Sequence, residues 1–152
     1  MNGWDGALIT ALLAVLAFVV GQALLRFVVE PIQEQRRLIG EVSNALLFYA
    51  NVYHLELFKQ PDERQREQLD EARTTLRGLA GRLQASLWTV PAYDTLARIG
   101  WVRKKEDILT ASRELVGWSN SLYGGRTSEQ RDRRRTIIAE VLGITQKVGP
   151  PE

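Results

Sequence analysis

One apolar run constrains this chain more than anything else in it. Residues 7–29 read ALITALLAVLAFVVGQALLRFVV, interrupted only by Thr10, Gln22 and Arg26. About 20 such residues suffice for a helix to cross the hydrocarbon core of a bilayer. A helix on the surface of a globular domain carries a polar stripe, and this run carries none. A secretory signal peptide needs a basic start, a shorter apolar core and a small-x-small cleavage site. Here the start is acidic, and Gly21-Gln22-Ala23 leads into more apolar sequence. Residues 1–30 therefore read as a short tail and a transmembrane anchor.

Basic residues stay on the cytoplasmic side, and those flanking the span weigh most. None precedes the run, whereas Arg26 lies near its end and Arg36 and Arg37 follow it. The expected topology is single-pass, with the N-terminus outside and the remainder in the cytoplasm. The expected setting is a bacterial inner membrane. Trp4 stands where an aromatic residue of the outer interface would stand.

Gly3, Ala7, Thr10, Ala14, Ala17 and Gly21 recur at spacings of four and three. At about 100° per residue they fall within roughly 40° of one line along the helix. Leu8, Leu12, Val15, Leu16 and Val19 take the opposite side. Small residues let helix backbones approach closely, a main source of association in lipid. This seam predicts a homo-oligomer. Gln22 lies to its side, near the inner headgroups.

The roughly 120 residues beyond the span are enough for one small domain with its own core. The chain has no Cys, which rules out disulfides and thiolate metal sites. A formal charge of +2, mixed in sign along the chain, gives no reason to expect a nucleic-acid partner.

The expected fold class is all-α: the anchor, then an antiparallel cytoplasmic bundle of about four long helices and one short one over residues 31–147, then a disordered tail over 148–152. Glu30-Pro31 predicts a kink, because proline suits a helix start and disfavours helical geometry before it. The next helix is expected to run from Pro31 to about Phe58. Its apolar middle, residues 45–53, marks it as the central helix. Acidic residues at 62, 63 and 67 suit the start of another helix. Leu69, Ala72, Leu76, Leu79, Leu83 and Leu87 give that helix a buried stripe, opposite Arg64, Glu71, Arg73 and Arg82. A short helix is expected over Pro91–Ile99 and a long one from about Val102 to Tyr123, with Ile108, Leu109, Leu115, Val116 and Leu122 inward. Gly124-Gly125 closes it. Thr127-Ser128-Glu129-Gln130 reads as a capping box for a last helix ending near Leu142.

Chemistry-bearing motifs are missing. There is no nucleophile elbow, phosphate loop or dinucleotide glycine pattern. The single histidine, His54, cannot supply the paired Glu-x-x-His ligands of a carboxylate-bridged metal site. No enzyme activity, cofactor or metal is expected. Asn44, Asn51, His54 and Asn120, with Ser119 and Ser121, form a candidate buried polar network that would fix register; the alternative is that they line a small ligand site.

Two surfaces remain. If the second helix leaves the membrane, the third returns, and the turn over residues 88–105 lies near the bilayer. Trp88, Tyr93, Trp101, Arg103, Lys104 and Lys105 suit an interface with anionic headgroups. The alternative is that the two tryptophans cap the core. Arg131, Arg133, Arg134 and Arg135 form the densest basic cluster, a candidate site for a protein partner unless Glu129 and Asp132 pair with it. The expected function is a non-enzymatic, membrane-anchored interaction protein, a scaffold, adaptor or sensor module, whose partners are the bilayer, its own copies and a cytoplasmic protein. The alternative is a small homo-oligomeric pore, transport or effector protein.

Overall fold

A computed structural model of the chain describes residues 3–49, 62–122 and 128–144. The described residues form helices and turns and contain no strand.

The apolar run forms α1 (Gly3–Leu24). A π-helical turn (Leu25–Val29) follows and leads straight into α2 (Glu30–Phe48). Gly6 to Phe48 is thus one helix of 43 residues. The helix runs on through Glu30-Pro31, and no separate helix begins at Pro31. Proline removes an N–H and its ring crowds the carbonyl four residues back. The π turn accommodates this by letting the Glu30 N–H reach the Leu25 carbonyl, five residues away.

In α2 the buried positions are Ile32, Gln35, Leu38, Val42, Ala45 and Leu46, one face at helical spacing. The opposite face is open, with Leu47 and Phe48 more than half exposed. This helix is therefore not enclosed on all sides, contrary to the sequence expectation. Its predicted extension to Phe58 falls on residues 50–61, outside the described residues, as do Gly124-Gly125, Thr127 and the tail.

Asp62 and Gln65 start α3 (Glu63–Thr89) with a full capping box. The Asp62 carboxylate accepts from the Gln65 N–H at 2.8 Å, and the Gln65 side-chain oxygen accepts from the Asp62 N–H at 3.0 Å. All six residues of the predicted leucine-rich stripe are buried. Ala92, in the left-handed region (φ 47°), reverses the chain into α4 (Tyr93–Arg98). Gly100 (φ 79°) closes α4, with Trp101 N–H bonded to the Leu96 carbonyl and Gly100 N–H to that of Ala97. This is the paired-bond ending that favours glycine.

Next come α5 (Lys105–Ser121) and α6 (Ser128–Leu142). Leu142 is the predicted end of α6, and Gly143 (φ 63°) closes it in the same way as Gly100. On α5, Ile108, Leu115 and Leu122 are buried as expected. Val116 is exposed instead, and Trp118 is fully buried in its stead.

Side-chain pairs give the packing order. Gln35 meets Ser86 and Glu41 meets Arg82, so α2 and α3 pass in opposite senses. Arg77 of α3 reaches Ser119 and Asn120 of α5, and Arg134 of α6 reaches Glu114 of α5. Both α3 and α6 pack on α5, which makes α5 rather than α2 the hub of the core.

Candidate functional site

The first candidate feature is the surface of α1. From Leu8 to Phe27 every large apolar side chain is exposed, from 49% at Val20 to 66% at Leu8 and Phe18. None of the most apolar 18-residue stretch is buried within the chain, and the helix is long and apolar enough to cross a membrane. Its one hydroxyl is satisfied internally, since Thr10 donates to the Gly6 carbonyl at 2.9 Å. Gly3 opens the helix, and Trp4 is 87% exposed. Ala7, Thr10, Ala14, Ala17 and Gly21 are all exposed, and open space lies where a Gly21 side chain would project.

The second feature is the end of the body where α2 begins, α3 ends and α5 begins. A buried polar cluster ties these parts together. The Gln35 side-chain NH2 donates to Tyr93 Oη at 2.8 Å and to Ser86 Oγ at 3.1 Å. Ser86 donates in turn to the Leu83 carbonyl, and the Tyr93 hydroxyl donates to the Arg103 carbonyl at 2.7 Å. Gln35 occupies a core position of α2, three residues after Ile32 and three before Leu38. A polar residue within an apolar stripe is the sequence signal that would have revealed it.

This cluster corrects one expectation. Tyr93 is not an interfacial ring; it is buried, because its hydroxyl has partners inside the protein. Arg103 is exposed, and its guanidinium lies against Gly143 past the end of α6, where a cation complements the helix C-terminus. Trp88, Trp101, Lys104 and Lys105 remain exposed, and Lys105 lies 3.9 Å from Asp94. The turn is held to α2 by Arg36, which donates to the Trp101 carbonyl.

Burial pushes the Tyr93 phenol above its ordinary value near 10; the Gln35 hydrogen bond opposes this, and Asp107, Asp94 and Glu106 add to it. The folded state thus holds this proton more tightly than the unfolded chain does. That contribution is complete below pH ~10 and is lost as pH rises through the higher folded value. The denaturation midpoint of the full-length protein in detergent is expected to fall as the pH rises above ~10, and to fall less in Tyr93→Phe. Equal losses in both proteins would refute the assignment.

The remaining candidate residues do not converge. Asn44 and Asn120 are exposed, so they cannot anchor a buried network; Asn120 instead accepts from Arg77 at 2.7 Å. Asn51 and His54 lie outside the described residues. The arginine cluster is divided by the faces of α6. Arg131 is buried, Arg134 crosses Gly117 to pair with Glu114, Arg135 pairs with Asp132 at 3.5 Å, and Arg133 is exposed. A run of neighbours in sequence thus does not make one basic surface. Among the described residues no three His, Asp or Glu side chains gather as a metal site requires. No protein-family model, curated protein or solved structure matches this chain.

Proposed function

We propose that this is a single-pass membrane protein in which α1 holds an antiparallel helical bundle on the cytoplasmic side of a cell membrane. It acts there without catalysis as a scaffold, adaptor or sensor module. One observation carries the reading, the apolar surface of α1 that nothing among the described residues covers. Twelve large apolar side chains lie between Leu8 and Phe27, each about half exposed or more. Leaving them in water costs on the order of 10–20 kcal/mol. That equals or exceeds the ~5–15 kcal/mol that holds a whole domain together. Lipid removes this cost, and a helix bonds its interior backbone groups within itself, as a membrane span must. Arg26, Arg36 and Arg37 after the span favour a cytoplasmic body.

The seam from Gly3 to Gly21 favours self-association, since small residues let two helices approach closely. The full-length protein extracted from its native membrane is expected to run as an oligomer, with a cytoplasmic protein retained on it. Ala14→Leu and Gly21→Leu are expected to shift it to monomer without releasing it from the membrane. A monomer with nothing bound would refute the module. Ion leakage through vesicles that both substitutions abolish would favour a pore instead.

A further inference from the structure

The helix that leaves α1 enters the body without a linker. Phe27 is 65% exposed, whereas Val28, the next residue, is already packed against the core. The end of α3 abuts this place, because Thr89 lines the same cleft as Arg26, Glu30 and Pro31. Arg26 to Pro31 rises ~7.5 Å along the helix. A headgroup layer adds about 5–8 Å beyond the hydrocarbon on each side. If α1 spans the membrane, the 88–105 turn is held at the depth of the headgroups.

The surface of that turn differs from the rest of the body. Among the described residues beyond the span, six large apolar side chains are exposed, and three of them, Trp88 (87%), Ile99 and Trp101, fall within 14 residues of sequence. Arg98, Lys104 and Lys105 stand exposed among them, with Asp94 exposed inside the turn and Glu106 exposed just past it. The cluster of Gln35, Ser86 and Tyr93 fixes the backbone beneath. We propose that this face, Trp88 and Ile99 with Arg98, Lys104 and Lys105, docks on anionic phospholipid headgroups and so sets the tilt of the span. The proposal rests on the membrane reading of α1. An indole suits the interface, and basic heads gain from the negative surface potential of the cytoplasmic leaflet. Interfacial anchors of this kind, rather than span length, fix helix tilt.

The chain has no cysteine, so single cysteines can carry a fluorophore. Full-length protein bearing Thr89→Cys, or Gly78→Cys on the exposed face higher on α3, is placed in vesicles of phosphatidylcholine with or without phosphatidylglycerol. Quenching by a headgroup-level lipid quencher is measured, and carbonate washing checks insertion. The label at 89 should be quenched and the one at 78 spared, with stronger quenching at 89 in the anionic vesicles. Arg98→Glu, Lys104→Glu and Lys105→Glu, which each change the charge by two units, should each lower the docked fraction relative to the undocked about thirtyfold. Trp88→Ser should lower it in both lipids. Carbonate release would overturn the span and this face with it. A chain that stays inserted with position 89 unquenched, or quenched alike in both lipids and in the charge-reversed variants, would overturn the face alone.

Discussion

Arginine at both Leu16 and Val19 is expected to release the full-length chain from membranes on carbonate washing. Both side chains are exposed, 59% and 55%, so the substitutions remove no packing within the protein. Both sit near the middle of the apolar run and off the small-residue seam, so self-association is not altered directly. An arginine at the centre of a span costs about 3 kcal/mol against insertion, so two cost about 6. The run holds fourteen Leu, Ile, Phe and Val residues, which together favour insertion by about 4–8 kcal/mol. The penalty is as large as the driving force, and the partition should shift by about four powers of ten. Leu16→Ala with Val19→Ala should stay in the membrane pellet. If the doubly arginine-substituted protein resists carbonate as the parent does, lipid is not what covers α1.

How far the sequence discloses this fold depends on whether the deciding information is local. The leucine-rich stripe of α3 is a property of one helix, so its six core positions could be read directly. The end of α6 could too, because Gly143 follows the last apolar residue of the pattern and only a left-handed residue closes that turn. The sequence alone does not place Tyr93, because a tyrosine near basic residues suits an interface as well as a core. The choice is made by Gln35, 58 residues away. The arginine cluster failed for a related reason. Spacing on a helix says which residues share a face, but only the neighbouring helix decides which face is buried, and here Gly117 and Glu114 of α5 draw Arg134 inward. The proline at 31 shows local preference overruled: Glu30 keeps helical geometry (φ −59°, ψ −49°) despite the bias against it. The exposed surface of the 88–105 turn was half legible: its composition was plain, its inward and outward residues were not.

Replacing Trp118 by alanine is expected to lower the melting temperature of the body by on the order of 10–20 °C. The indole is fully buried on α5, the helix that both α3 and α6 pack against. Truncating a buried tryptophan costs about 3–5 kcal/mol, through lost transfer energy and the cavity left behind. A domain of this size melts ~3–5 °C lower per kcal/mol. Trp88→Ala removes the same side chain from a position 87% exposed, where a substitution changes stability by less than about 0.5 kcal/mol. The two variants differ in burial and not in chemistry, so the comparison isolates packing. Both are read by far-ultraviolet circular dichroism of the full-length protein in detergent, where α1 keeps its helix and the transition reports the body. Equal shifts in the two variants would mean that α5 is not the hub of the core. A Trp118→Ala protein that melts early yet still resists carbonate would establish the division of labour proposed here: α1 supplies attachment, and the core around α5 supplies whatever the chain presents to its partners.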